Sequence, residues 1–183
     1  MKKPAIGIVK LNSIAAGIYS TDAMLKKAKV RVLKSSPICS GKYMVLINGD
    51  EADVEESMKI GLETAGRFVV DSIIIHNIHE SVAPAIIGMS DVTTLESIGV
   101  LETFSVASAV IAADAAVKES PVKLIDLRLA NGLGGKSYFT MTGALPDVQA
   151  SMERAKSAVL DKGMYVNDRI IAMPHEEMKE VVL

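Results

Sequence analysis

The chain has 183 residues, with 20 Lys+Arg against 22 Asp+Glu and a formal net charge of -2. At about 150 residues per domain this length predicts one or two domains, and 49% hydrophobic with 23% charged residues excludes wholesale disorder. The near-neutral balance argues against a nucleic-acid partner, and a single cysteine excludes an intrachain disulfide framework. Aromatics stand at 4% with no Trp, so the core falls to Val, Ile, Leu, Ala and Met. The opening MKKPAIGIVKLN is positive, but its apolar run breaks too early for a signal peptide. No run approaches the roughly 18 apolar residues of a membrane span. A soluble, cytoplasmic protein with no membrane partner is expected.

Residues 5–11 (AIGIVKL) are short, apolar and β-branched, which predicts a strand. Residues 13–28 place Ile14, Ala15, Ile18, Leu25 and Ala28 at helical spacing, with Ser13 or Asn12 as the cap. Residues 30–33 (VRVL) predict a second strand and 42–48 (KYMVLIN) a third. Between them lies a punctuated loop, residues 35–41 (SSPICSG). Asp50 is expected to cap a second helix whose first turns carry Glu51, Asp53, Glu55 and Glu56, a favourable match to the positive end of the macrodipole. That helix is expected to end at Gly66, before a fourth strand over residues 69–75. Residues 88–94 (GMSDVTT) read as a linker.

The second half repeats the first. A shift of 92 places Ile6-Gly7 on Ile98-Gly99, Ser13 on Ser105, Asp22-Ala23 on Asp114-Ala115, Lys26 on Lys118 and Val30 on Val122. Two extra residues then enter the second copy. After them Gly41-Lys42 meets Gly135-Lys136, Gly49 meets Gly143 and Asp53-Val54 meets Asp147-Val148. Further on, Ile74-Ile75 meets Ile170-Ile171 and His79-Glu80 meets His175-Glu176. The chain is a duplicated domain, residues 1–91 and 92–183. Each copy has the order β-α-β-β-α-β of a ferredoxin-like sandwich, in the α/β (α+β) class.

Few residues carry chemistry. Residues 131–137 (NGLGGKS) end in Gly-Lys-Ser, but a phosphate loop needs a glycine where Ala130 stands and a helix afterwards. Residues 138–141 (YFTM) predict a strand instead, leaving a flexible glycine-rich turn with Lys136 solvated. His76, His79 and Glu80 have no cysteine or acidic cluster beside them for a metal site. The recurrence of His79-Glu80 as His175-Glu176 favours a structural role at a strand end. No nucleophile stands beside a base and no carboxylate pair stands out, so an enzyme is not expected.

Cys39 leaves two readings open. A lone cysteine is most often a small buried hydrophobe. Here Ser36, Pro37, Ser40 and Gly41 make its surroundings polar and turn-forming, where backbone is usually exposed. One thiolate cannot hold an iron–sulfur cluster. A threefold axis past this loop would bring three copies together.

Ala5-Ile6-Gly7, Ala15, residues 22–28 (DAMLKKA), Val30, Gly41-Lys42 and Gly49-Asp50 resemble the bacterial microcompartment shell domain. The second half resembles it through residues 97–100 (SIGV), Glu102-Thr103, Asp114-Ala115, Gly135-Lys136 and Pro174-His175. Two such domains in tandem resemble the trimer-forming shell proteins, and the loop cysteine is similar to that of the T-type shell proteins of propanediol-utilisation compartments. The resemblance implies a structural, non-enzymatic shell tile, a homotrimer forming a pseudohexamer. It implies that Cys39 of three subunits holds a shared [4Fe-4S] cluster at a central pore, for electron transfer or cluster passage across the shell.

Pro37, Ile38, Ser40 and Gly41, with Gly132, Leu133 and Gly134 of the second copy, would form the pore loops, where crowding favours small residues. Lys26 and Lys118 would lie at the assembly edge. Other shell proteins and encapsulated redox enzymes are the implied partners. Two features depart from the family's pattern. Lys10 stands where Glu102 keeps a first-strand glutamate, and Met173 rather than an arginine precedes Pro174-His175. Two alternatives remain at this point: a tile with a small-metabolite pore and no cluster, and a soluble ferredoxin-like small-molecule-binding protein.

Overall fold

The computed structural model describes residues 4–39, 41–130 and 132–183. The chain divides into two compact units, Met1–Ile78 and His79–Leu183. In the first, β1 (Pro4–Leu11), α1 (Ile14–Lys27), β2 (Arg31–Ile38), β3 (Lys42–Asp50), α2 (Glu51–Ala65) and β4 (Val69–Ile75) follow in order. The second opens with the short helix α3 (Val82–Ile86). It then repeats the series as β5 (Ser97–Thr103), α4 (Val106–Glu119), β6 (Lys123–Leu129), β7 (Ser137–Gly143), α5 (Leu145–Leu160) and β8 (Tyr165–Ile171), and a last short helix α6 (Lys179–Val182) follows. The expected β-α-β-β-α-β order is present twice.

Each sheet is four-stranded and antiparallel, in the order β2-β3-β1-β4 and β6-β7-β5-β8. The central pairings β1–β3 and β5–β7 run in unbroken register. Every pairing to an edge strand carries one register irregularity, between Val32 and Lys34, Lys10 and Leu11, Leu124 and Asp126, or Glu102 and Thr103. The middle strands β1 and β3 are each buried over a continuous run, residues 5–9 and 43–47. This explains why their sequences are continuous apolar runs rather than alternating ones.

In the first unit Ala5, Val9, Leu11, Val45 and Ile47 of the sheet pack on Met24, Val54 and Met58 of the two helices. Each large apolar side chain removed from water in this way contributes about 1.5–3 kcal/mol. Gly17 lets α1 lie directly on the sheet, because a Cβ there would sit 2.2 Å from the Tyr43 ring.

The caps distinguish the two helix starts. Ser13 caps α1, its Oγ accepting the Ala16 N–H at 3.3 Å, and Ser105 caps α4 by accepting from Ser108 at 3.1 Å. Asp50 occupies the cap position of α2, but β3 runs through it and its side chain makes no capping hydrogen bond. Glu51 and Asp53 carry the favourable charge in that first turn instead. Gly66 closes α2 with φ of 53°, as its position suggested.

Two expectations change. The loop predicted over residues 35–41 is mostly strand, because β2 continues to Ile38. Pro37 is tolerated there because β2 is an edge strand with one side free of ladder partners. The short helix α3 was absent from the sequence reading, and its residues pack within the second unit.

Candidate functional site

Ile38 pairs with Lys42 across the β2–β3 hairpin, so the chain reverses between them. Gly41 has φ of 71°, the left-handed conformation a three-residue hairpin requires at that place. Cys39 therefore stands at a hairpin tip, half-buried, and Pro37 and Gly41 beside it are exposed. Ser40 lies outside the described residues.

Beneath this tip runs a chain of hydroxyls from three elements that no local sequence pattern connects. Thr21 Oγ1 donates to Gly17 O at 2.7 Å and lies 3.1 Å from Ser35 Oγ, which lies 3.0 Å from Tyr43 OH. These bonds tie the end of β2 to α1 and β3. They hold the base of the hairpin while its tip projects. Among the described residues, no group of three His, Cys, Asp or Glu could hold a metal ion within one chain.

The counterpart hairpin joins β6 to β7 and is longer. Ala130, Gly132, Gly134 and Gly135 all have positive φ, from 49° to 91°. Ala130 N–H reaches Lys136 O at 3.2 Å and Ser137 Oγ at 3.2 Å, and Lys136 N–H reaches Leu133 O at 3.1 Å. A Cβ on Gly132 or Gly134 would meet nothing within 4 Å, so within the chain these glycines answer to backbone conformation and not to crowding. Strand β7 covers the expected residues 138–141 and extends to Ser137 and Gly143, and no helix follows the Gly-Lys-Ser. Lys136 is not solvated alone, since its Nζ lies 3.6 Å from Glu102. At the matching place in the first unit Lys10 pairs with Asp71 at 3.7 Å, which gives the lysine departure its own partner.

Lys26 and Lys118 have the same local setting. Lys26 bonds Asp22 at 2.5 Å and Lys118 bonds Asp114 at 2.6 Å, both across one helical turn. The Asp22 hydrogen bond and charge raise the Lys26 pKa above its usual value. Lys26 is 75% exposed and Lys118 38%.

His76 Nδ1 lies 3.7 Å from Glu51 and 3.9 Å from Glu55 of α2. His79 and His175 each accept a backbone N–H from two residues on, Ser81 and Glu177, at 3.3 Å. The recurring role is in the segment after the strand and not at the strand end that was expected, since β4 stops at Ile75 and β8 at Ile171.

The fold is a duplicated antiparallel α+β unit whose first copy carries a cysteine at a hairpin. The chain belongs to the BMC domain family, whose model matches residues 5–78 and 97–174. It is a structural shell protein of a bacterial microcompartment and not an enzyme. Over 174 residues, 95% of both chains, it is 42% identical to "Bacterial microcompartment shell protein PduT" of Citrobacter freundii. A crystal structure of a microcompartment protein from Desulfitobacterium hafniense superposes with a TM-score of 0.94 at 41% identity, covering 97% of this chain and 98% of that one. A single-domain stretch, 40% of this chain, is 31% identical to 72% of the carboxysome shell protein CcmK2 of Synechococcus elongatus. Among the described residues, no helix is long and apolar enough to cross a membrane.

Proposed function

We propose that three copies of this chain form a flat pseudohexameric tile of the shell, and that the three Cys39 thiolates meet at its axis to hold a [4Fe-4S] cluster. The observation that carries this reading is the placement of the only thiol at the tip of a three-residue hairpin. Thiolate is the ligand such clusters take, and one per chain requires several chains to complete the set. Three thiolates leave one iron for water, hydroxide or a small exogenous ligand. When bound, the cluster supplies one-electron redox chemistry suited to electron transfer or cluster passage across the shell.

The remaining roles belong to the chain's own residues. Gly41 allows the tight turn that brings Cys39 outward, and the Thr21–Ser35–Tyr43 hydroxyls fix its base. Pro37, Ile38, Ser40 and Gly41, with Gly132, Leu133 and Gly134 of the longer hairpin, line the axis. Lys26 and Lys118 meet neighbouring tiles. Other shell proteins, and redox enzymes enclosed by the shell, are the partners.

Anaerobic purification with iron and sulfide counted per trimer tests the cluster, together with an electron paramagnetic resonance spectrum after reduction. About four irons per trimer are expected, and their loss in Cys39→Ser. Iron content unchanged by Cys39→Ser removes the cluster from this reading. An iron-free native protein, even after reconstitution, leaves a tile whose axis passes small metabolites.

A further inference from the structure

The two copies of the repeat hold their hairpins differently, and the difference falls on the copy that carries the cysteine. By sheet register Tyr43 of β3 stands opposite Leu11 of β1, as Ser137 of β7 stands opposite Thr103 of β5. Ser35 faces Val45 as Leu127 faces Phe139. The shift of 92 sets Thr21 against Ala113 and Gly17 against Ala109. The hydroxyls of Thr21, Ser35 and Tyr43 are therefore matched in the second unit by Ala113, Leu127 and Ser137. Ala113 and Leu127 are buried and have no polar side-chain atom. The Ser137 hydroxyl serves another group, accepting the Ala130 N–H at 3.2 Å. The linked hydroxyls thus lie beneath the first hairpin and not beneath the second.

Each hydroxyl has one proton to donate, and this fixes the direction of the chain. Thr21 donates to Gly17 O, so it accepts from Ser35, and Ser35 in turn accepts from Tyr43. The protons run one way and end on a backbone carbonyl, so the chain holds position and does not relay protons. Tyr43 pairs with Pro37 and Ser35 with Val45, so the Tyr43–Ser35 bond crosses the ladder on the diagonal. It resists sliding of β2 along β3, and Thr21 extends the tie to α1. The need for such a tie is local. Strand β2 lies at the sheet edge with β3 as its one neighbour, and its register already shifts between Val32 and Lys34. A slip of one residue would turn every β2 side chain to the opposite face and displace the turn.

We propose that this hydroxyl chain pins the register of the first hairpin and so sets where the Cys39 sulfur stands. Thr21, on a helix, is then a positioning residue for the thiolate. The inference deepens the cluster reading above and rests on it for the use to which the thiolate is put. Loss of one link leaves a buried hydroxyl unpaired and loosens the tip, and the half-buried thiol becomes easier to reach.

The rate at which iodoacetamide alkylates the iron-free protein tests this, and it reads Cys39 alone because the chain has one cysteine. Thr21→Val keeps the side-chain shape and leaves Ser35 without its acceptor. Alkylation is expected to rise about fivefold, the factor that one ordinary hydrogen bond contributes to an equilibrium. Thr21→Ser keeps the hydroxyl and is expected to restore the native rate. Ser57→Ala removes a buried bond to Met24 O in the same unit, outside the chain of hydroxyls, and is expected to leave the rate unchanged. A native rate in Thr21→Val, or an equal rise in Ser57→Ala, overturns the proposal. If Thr21→Val does not fold, Tyr43→Phe removes only the first donor and is read against the same outcomes. After reconstitution with iron and sulfide, the electron paramagnetic resonance spectrum of reduced Thr21→Val is expected to differ from the native one, and Thr21→Ser to restore it. A native protein that takes up no iron overturns the cluster, while the difference in alkylation still upholds the pinning.

Discussion

Two buried serines make the same bond in the two units, and replacing them isolates its worth. Ser57 Oγ of α2 donates to Met24 O at 3.0 Å, and Ser151 Oγ of α5 donates to Ala116 O at 2.9 Å. Met24 and Ala116 lie in the last turns of α1 and α4, where carbonyls lack intrahelical donors. All four residues are fully buried or within 2% of it, so water has no ready access to the freed carbonyl. Ser57→Ala therefore strands a buried acceptor, which costs about 1–3 kcal/mol, and Ser151→Ala should cost the same. Because the serines lie in separate compact units, the double variant should show the sum to within about 0.5 kcal/mol.

Urea unfolding at fixed protein concentration measures this, since self-association makes stability concentration-dependent. Ser57→Cys serves as the control, keeping side-chain volume with a far weaker donor, and it should recover little. A loss below about 0.3 kcal/mol in Ser57→Ala, within ordinary additivity error, would show that Met24 O finds another donor, and the argument would fail.

Three further outcomes follow from other contacts. Gly17→Ala would ordinarily stabilise a helix by about 1 kcal/mol, but its Cβ would sit 2.2 Å from the Tyr43 ring; it should destabilise by about 1–3 kcal/mol, and a gain in thermal stability would refute the close packing. Asp168 is pushed upward by burial, yet hydrogen bonds from Tyr165 and Lys156 hold its pKa below the ordinary carboxylate value. Its contribution is therefore present above that value and lost as pH falls through the lower folded one. The destabilisation in Asp168→Asn, followed by thermal melting, should be largest near neutrality and fade as pH drops below about 4; a penalty unchanged at low pH would contradict this. The pKa values of Tyr165 and Lys156 are both raised, first by hydrogen bonding to Asp168. Their contribution is present below their ordinary values and lost on the alkaline side, so ultraviolet titration of Asp168→Asn should show one tyrosine ionising at lower pH than in the native chain.

What was legible in the sequence was what local pattern controls. Apolar runs marked the strands, Ser13 marked the first helix start, and Gly66 marked the second helix end. The duplication was readable because matched residues such as Asp22-Lys26 and Asp114-Lys118 keep their spacing. Pro37 misled, because proline signals a turn until the sheet order shows that its strand is at the edge. Helix α3 went unseen because five residues with Pro84 among them carry almost no periodic signal. Its stability comes from packing on β6 and α4, a relation between distant parts of the chain. The pairing of Lys136 with Glu102 was hidden for the same reason, since the two residues meet only across neighbouring strands.

The irregular edges of both sheets have a consequence for life at high concentration. A protein laid side by side in a continuous layer brings its strand edges near one another repeatedly, and regular edges are templates for runaway β-pairing. Here all four edge pairings are broken once in register, while the central ones are unbroken. A break of this kind bends and twists the strand. Pro37 withholds a further donor from β2. Contact between folded copies is thereby left to side-chain surfaces that mutation can tune, and fibrous stacking is denied a straight edge on which to begin.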